Sequence, residues 1–124
     1  MFNADEAARF ASEWIDAWNA RDLEALLGHC SDDLILVSPL IALSRHDESG
    51  RLEGQERIRA YWEQTIEKLP RQQFEIINIL AGVDSLTIYF KSLFGRRVSE
   101  VLFLNDSGKV QQIVIHFDLM KERA

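Results

Sequence analysis

Apolar residues recur every three or four positions in two stretches of the chain, a spacing typical of helices that bury one face. The first stretch starts after Asn3, which has the spacing of a capping box with Glu6. The second starts after Gly54 and ends at Pro70, because proline cannot continue a helix. Between them, Asp22 can cap a third, shorter helix. The faces predicted to be buried contain Ala7, Phe10, Ala11, Trp14, Ile15 and Trp18 in the first helix, and Ile58, Tyr61, Trp62, Thr65, Ile66 and Leu69 in the second long helix.

The second half of the chain instead alternates apolar and polar residues, which predicts four β-strands. Their sequences are QFEIINILAG, SLTIYFKSLF, RVSEVLFL and KVQQIVIHFDL. The connectors GVDS, FGR and NDSG are short and rich in turn residues, so we expect an antiparallel meander. One more strand, LILVS, lies earlier and ends before Pro39, and residues 40–54 form the least regular part of the chain.

This order of elements predicts the fold class. Helices that precede a run of antiparallel strands pack on one face of the sheet and give an α+β domain. We therefore expect a strongly curved antiparallel sheet, with three helices from the N-terminal half closing its concave side. A chain of 124 residues is long enough to bury one hydrophobic core, so residues 1–124 are predicted to form a single domain.

The alternation also predicts which side chains face the core. The inward residues are predicted to be Leu86, Ile88 and Phe90 on the second of the four strands, Ile113, Ile115, Phe117 and Leu119 on the last, and Trp14, Trp18 and Trp62 on the helices. These side chains could either interdigitate into a solid core or line a cavity. The pattern alone does not distinguish the two arrangements.

Glu100 is the one charged residue in an otherwise aliphatic strand register, which it shares with Val98, Leu102 and Leu104. If this register faces inward, burial raises the pKa of Glu100, and the protonated acid can donate a hydrogen bond to a ligand. Two other interpretations stay open. The opposite register could face inward, which would leave Glu100 in solvent beside an arginine. Alternatively, Glu100 could face inward and only satisfy a buried polar partner.

The composition argues against several classes of partner. The net charge is −6 with a pI near 5.0, and no segment concentrates Lys and Arg, so neither nucleic acid nor a membrane surface is an expected partner. The N-terminus lacks the features of a signal peptide, and Cys30 is the only cysteine, so we expect a cytoplasmic protein without disulfides. No cofactor is expected. No metal site is expected either, because His29, His46 and His116 have no second ligand at a suitable spacing.

The segment WIDAWNARDLEALLGHCSDDLILVSP, followed by GQERIRAYW, resembles the SnoaL-like branch of the nuclear transport factor 2-like superfamily. Ketosteroid isomerases and polyketide cyclases share that fold. The resemblance extends over essentially the whole chain, from the first helix to IVIHFDL. It implies a curved sheet and three helices that form a cone around an apolar pocket, usually in a dimer. The AWNARDLEAL…DD stretch is specific for the fold and says little about the reaction.

The resemblance also identifies three positions of catalytic interest. Ketosteroid isomerases have a general-base Asp just before the Pro that ends the first strand, where this chain has Ser38. They have an oxyanion-hole Tyr on the first helix, where this chain has Trp14, and an oxyanion-hole Asp at the position of Glu100. Since one acid remains and the base and phenol are missing, a proton-shuttling steroid isomerase is not expected. The Arg and paired Asp of the superfamily's epoxide hydrolases have no match on the inward registers. For Ser38, a hydrogen bond to a ligand and one to nearby backbone both stay open.

Together, the residues and the resemblance predict a pocket for a small hydrophobic compound that is cyclic and carries a carbonyl group. If the protein is an enzyme, acid-assisted isomerisation, cyclisation or hydration is expected, with Glu100 as the catalytic acid. The alternatives are non-catalytic binding or sensing of a small apolar ligand, and a dimeric protein-interaction module with an incidental cavity. The predicted ligand-binding residues are Trp14, Trp18, Ser38, Trp62, Ile88, Phe90, Leu102, Ile113, Ile115 and Phe117.

The outer face of the sheet is predicted to be a subunit interface. If the register of Glu100 faces inward, Val101 and Phe103 point outward, next to Tyr89 and Val114 on neighbouring strands. That surface is too apolar to remain in contact with water, so we expect a homodimer that packs through it.

Overall fold

The computed structural model describes residues 2–71 and 73–118, which form four α-helices, one 3₁₀-helix and six β-strands. Helices α1 to α4 span Ala4–Asn19, Leu23–Gly28, Pro39–Leu43 and Gln55–Lys68, and the 3₁₀-helix spans Leu93–Gly95. Strands β1 to β6 span Cys30–Val37, Arg51–Glu53, Glu75–Ala81, Ser85–Lys91, Arg97–Leu104 and Val110–Phe117. The predicted α+β class is confirmed. None of the helices in the described residues is long and apolar enough to cross a membrane.

The helices begin where the sequence predicts, because the capping contacts form. The Asn3 side chain accepts a hydrogen bond from the Glu6 backbone N–H at 2.9 Å, and the Glu6 carboxylate accepts one from the Asn3 N–H at 3.1 Å. Asp22 Oδ1 accepts from the N–H of Ala25 at 3.0 Å at the start of α2. Gly54 precedes α4 with a φ of 91°, a conformation that glycine adopts without steric cost. The first two caps satisfy backbone donors that a helix terminus otherwise leaves unpaired.

The last four strands form the predicted antiparallel meander within a sheet of order β2-β1-β6-β5-β4-β3. The sheet departs from the predicted antiparallel arrangement at β1, which lies parallel to β6 with Leu36 opposite Ile113. Short connectors determine the direction of each meander strand, whereas β1 and β6 are far apart in the chain and no tight turn links them. The sheet is therefore mixed, and it is curved without closing into a barrel.

Residues 40–54 are more regular than the sequence indicates. They contain most of α3 and all of β2, so the described residues have one α-helix more than the three predicted. Ser38 Oγ caps α3 by accepting from the Leu40 N–H at 3.2 Å, and Pro39 occupies the start of the helix, where an N–H would be unpaired anyway. Gly50 has a φ of 73° and packs against this turn, since a Cβ there would lie 3.1 Å from the Ser38 carbonyl oxygen. A helix of five residues is too short to produce a periodic apolar pattern.

Strands β4, β5 and β6 align their inward residues in three rows. We call these the packed row (Leu86, Leu102, Ile113), the acid row (Ile88, Glu100, Ile115) and the open row (Phe90, Val98, Phe117). The predicted core face is confirmed for these strands, because Leu86, Ile88 and Ile113 are completely buried. The predicted inward position of Leu119 lies outside the described residues. Helices α1 and α4 pack on this face, so the rows and the two helices form one core.

Candidate functional site

A cavity of about 440 Å³ lies between the inner face of the sheet and helices α1, α3 and α4. All three residues of the open row line it, as do Glu100 and Ile115 of the acid row, whereas no residue of the packed row does. The core is therefore solid at one end of the strands and hollow at the other. Glu100 lies at the boundary, where the packed core forms the floor of the cavity.

Six of the ten predicted ligand-binding residues line this cavity, namely Trp18, Ser38, Trp62, Phe90, Ile115 and Phe117. The structure places the other four in the packed core rather than in the cavity wall, and Trp14, Ile88, Leu102 and Ile113 have no exposed surface. Strand parity identifies the face on which a side chain lies but not how far along the strand the close packing extends. For this reason the sequence pattern predicts residues of the cavity wall and residues of the packed core as one ligand-binding set.

Twelve further lining residues were not predicted to bind a ligand, namely Leu36, Leu40, Leu43, Tyr61, Thr65, Leu69, Phe74, Ser92, Leu93, Phe94, Arg96 and Val98. Tyr61, Thr65 and Leu69 share the predicted inner face of α4, so helical periodicity places them on the correct side of the helix but does not distinguish a cavity wall from a packed core. Leu43 and Phe94 lie in short elements that leave no periodic pattern, and they are 66% and 85% exposed at the rim of the cavity.

The Glu100 carboxyl group is buried, with 5% of the residue exposed, and this excludes the interpretation in which it lies in solvent. The Trp14 indole Nε1–H donates a hydrogen bond to Glu100 Oε1 at 3.3 Å. Burial raises the pKa of Glu100 to about 7, while the hydrogen bond from Trp14 opposes that rise. At neutral pH the group is therefore a mixture of the acid, which can donate a hydrogen bond, and the carboxylate, which can only accept one.

Trp14 holds the Glu100 carboxyl group in position from behind the cavity wall. Its ring packs edge-to-face on Trp62 at 6.2 Å between centroids, and Trp62 packs in the same way on Trp18 at 5.3 Å. Such aromatic pairs limit the rotation of each ring. The Trp14 donor therefore reaches Glu100 from a fixed direction, which leaves the remaining oxygen of the carboxyl group for another partner.

Ser38 lies at the position that the resemblance associates with a general base, and it is buried in the cavity wall. Its Oγ accepts the hydrogen bond from the Leu40 backbone N–H that starts α3. Of the two interpretations of Ser38, the structure therefore contains the hydrogen bond to nearby backbone. A serine hydroxyl in this setting does not supply the acid–base chemistry of a carboxylate.

The remaining ionisable groups of the cavity wall do not form a second acid–base pair with Glu100. Arg96 is exposed and donates through Nη1 to the Asp118 carbonyl oxygen, and burial raises the pKa of Tyr61. Glu100 is the sole carboxylic acid among the described residues that line the cavity, and no histidine lines it. Within residues 2–71 and 73–118, no group of three His, Cys, Asp or Glu side chains is arranged to hold a metal ion.

Comparison with known proteins yields one family and a set of similar structures. A sequence model described as a SnoaL-like domain matches residues 11–113 of the chain. A SnoaL-like protein of unknown function from Burkholderia thailandensis is 39% identical, with a TM-score of 0.89, and the match covers 94% of this chain and 97% of that one. The comparison with curated proteins found no match.

Two more distant structures share the fold. An NTF-2 like protein of unknown function from Burkholderia xenovorans is 20% identical with a TM-score of 0.71, over 97% of this chain and 89% of that one. A hypothetical protein with a ketosteroid isomerase-like fold from Catenulispora acidiphila, in complex with trimethylamine, is 16% identical with a TM-score of 0.67. That match covers 87% of this chain and 84% of the other. At these identities the likeness concerns the fold alone.

Proposed function

The chain belongs to the SnoaL-like domain family, and from that premise we propose that it takes up a hydrophobic, cyclic, carbonyl-bearing compound in the cavity. In this proposal Glu100 is the acid that donates a hydrogen bond to the carbonyl oxygen. The observation that carries it is a buried carboxylic acid on the floor of an otherwise largely apolar cavity, with a pKa raised to about 7. Perturbed acids in clefts are candidates for functional sites.

The apolar and polar groups of the cavity wall are placed to suit a ring that carries a carbonyl group. An apolar wall formed by side chains such as Trp62, Phe90 and Ile115 favours a ring system, because burying apolar surface on both partners is the main source of affinity. A carbonyl group entering such a wall loses its hydrogen bonds to water and needs a donor in return. The protonated form of Glu100 supplies that donor. In an enzyme, the same contact would stabilise the negative charge that develops on an enolate oxygen.

The catalytic form of this proposal is acid-assisted isomerisation, cyclisation or hydration. The second candidate is binding or sensing of the same class of compound without turnover. One observation favours this second candidate: among the described lining residues, Glu100 is alone as a carboxylic acid, and no histidine accompanies it as a base. The interaction-module alternative receives less support, because it gives no role to a cavity of about 440 Å³ that has a carboxylic acid in its wall.

The proposal is tested by the affinity of the purified protein for 1-tetralone and for tetralin, which has the same ring skeleton without the oxygen. We expect 1-tetralone to bind more tightly than tetralin at pH 5.5, and the advantage to shrink at pH 8.5, because the ionised carboxylate cannot donate a hydrogen bond. Isothermal titration calorimetry at the two pH values provides the measurement. Equal affinity for the two compounds at both pH values would contradict the proposal.

We also propose that two copies of the chain form a homodimer through the outer face of the sheet. Val101 and Val114 are paired on adjacent strands of that face, Phe103 is half-buried beside them, and Tyr89 is 36% exposed. A two-fold axis would bring the same apolar patch of each copy together. Sedimentation velocity at micromolar concentration is expected to give a dimer for the wild type and a monomer for Val101→Arg, which would place two like charges in the interface. A monomeric wild type would contradict this proposal.

A further inference from the structure

Glu100 is a buried carboxyl group that has no cation of the protein beside it. Burial raises its pKa to about 7, so above that pH most of the group is ionised. Within residues 2–71 and 73–118, no Lys, Arg or His side chain forms an ion pair with Glu100. His29, which packs on Trp14, pairs with Glu13 instead at 3.9 Å. A buried charge without a counter-ion costs free energy, and a ligand of opposite charge would reduce that cost.

The wall around this carboxyl group is rich in aromatic rings. Apart from the exposed Phe94, the aromatic lining residues are Trp18, Tyr61, Trp62, Phe74, Phe90 and Phe117. Trp18 and Trp62 meet at an interplanar angle of 80°, and Phe74 and Phe90 meet at 47°, so the faces of these rings point in several directions. The face of an aromatic ring attracts a cation, and the attraction is stronger where water is excluded. The wall is therefore suited to an organic cation as well as to a neutral ring.

We propose that the cavity also binds hydrophobic ammonium compounds, whose nitrogen cation pairs with the Glu100 carboxylate among the aromatic rings. This inference goes beyond the proposed function, because a ketone uses the protonated form of Glu100 and a cation uses the ionised form. Trp14 donates to Oε1 of the carboxyl group, so Oε2 remains for the cation. The net charge of −6 also favours the approach of cations over that of anions.

The other ionisable groups around the cavity keep one charge state between pH 5.5 and pH 8.5. Burial raises the pKa of the Cys30 thiol to about 12, and it also raises the pKa of Tyr61, so both groups stay neutral. Arg96 stays charged, but it is exposed and donates to the Asp118 carbonyl oxygen. Four residues of extended chain separate the Cα atoms of Arg96 and Glu100 by about 13 Å, which exceeds the Debye length of about 8 Å. The pH dependence of cation binding should therefore follow Glu100.

The test compares two bicyclic compounds of the same shape. One is 2,2-dimethyl-1,2,3,4-tetrahydroisoquinolinium, whose positive charge does not depend on pH, and the other is 2,2-dimethyltetralin, in which carbon replaces the nitrogen. From pH 5.5 to pH 8.5 we expect the affinity of the wild type for the ion to rise at least tenfold, because Glu100 becomes ionised over this range. The affinity for 2,2-dimethyltetralin should change less than twofold. Isothermal titration calorimetry at the two pH values provides the measurement.

Glu100→Gln separates the effect of the charge from that of the cavity shape. At pH 8.5 we expect it to bind the ion at least tenfold more weakly than the wild type does, and with no dependence on pH. Its affinity for 2,2-dimethyltetralin should be retained, which would show that the cavity is intact. Glu24→Gln is the matched control, since it removes a negative charge from the exposed surface and should keep the rise. A rise that persists in Glu100→Gln would overturn this inference.

The proton balance of the wild type at pH 6.5 is a second readout, obtained by calorimetry in two buffers that differ in ionisation enthalpy. Binding of the ion is expected to release protons, binding of 1-tetralone to take them up, and binding of 2,2-dimethyltetralin to do neither. If the ion does not bind, or binds without releasing protons, this inference is overturned, and proton uptake with 1-tetralone would leave the proposed function intact. If the ion releases protons and 1-tetralone does not bind, the proposed function alone is overturned.

Discussion

Glu100→Gln is expected to keep its stability nearly constant between pH 4.5 and pH 7, a range in which the wild type loses stability. Unfolded, the Glu100 carboxyl releases its proton near pH 4.5, whereas the folded protein retains that proton up to about pH 7. Between these values the folded state binds more protons than the unfolded state, so the free energy of unfolding falls as pH rises. At about 1.4 kcal/mol per pKa unit, the loss is on the order of 3 kcal/mol.

Urea denaturation at several pH values from 4.5 to 8 measures this difference. The wild-type curve is expected to fall relative to that of Glu100→Gln and to become parallel to it above about pH 7. Glu24→Gln is the matched control, because Glu24 is a fully exposed carboxylate beside Arg59, which lowers the pKa of Glu24. That control should retain the wild-type fall in stability. Parallel curves for the wild type and Glu100→Gln throughout this range would show that Glu100 ionises in the folded protein as it does in water.

The same variant separates catalysis from binding. The amide of glutamine can donate a hydrogen bond to a carbonyl oxygen but cannot transfer a proton. We therefore expect Glu100→Gln to bind 1-tetralone with an affinity that no longer depends on pH, whereas the wild-type affinity decreases by up to about tenfold for each pH unit above 7. Once a converted substrate is identified, loss of turnover with binding retained would establish Glu100 as an acid catalyst. Loss of binding alone would establish it as an anchor.

Much of this arrangement could be predicted because local rules determine it. The period-two alternation of β4, β5 and β6, combined with short connectors, leaves one register in which the aliphatic residues are buried. Glu100 shares that register with Val98 and Leu102, so its inward position follows from its neighbours. The capping box at Asn3 and the stop at Pro70 are equally local signals, and both helices follow them.

The features that the sequence did not reveal depend on contacts between distant segments. The parallel pairing of β1 with β6 joins strands that are separated by α3, α4 and most of the sheet, so no connector records its direction. The limit of the cavity is also a tertiary property. Ile88 and Phe90 are both apolar and face the same way, yet only Phe90 lines the cavity. Residue type does not encode that difference.

This division between a packed and a hollow part of the core leads to an expected difference between two substitutions on the same face of β6. Ile113 belongs to the packed row and has no exposed surface, whereas Ile115, two residues later, borders the cavity beside Glu100. Ile113→Trp forces a larger side chain into a filled space, and we expect it to destabilise the protein by about 1–3 kcal/mol or more. Ile115→Trp can place its ring in the cavity, so its cost should be less than about 1 kcal/mol.

For ligand binding we expect the opposite order, with the larger effect from Ile115→Trp and the smaller one from Ile113→Trp. A tryptophan at position 115 occupies the space next to Glu100 that the carbonyl-bearing ring needs, so Ile115→Trp should weaken 1-tetralone binding at least tenfold, or about 1.4 kcal/mol. Ile113→Trp, studied well below its melting temperature, should retain most of the wild-type affinity, because it acts behind the cavity wall. Urea denaturation and calorimetry on both variants provide the two readouts. Equal destabilisation by the two substitutions would mean that the space beside Glu100 is filled, and an unchanged affinity in a stable Ile115→Trp would place the ligand elsewhere.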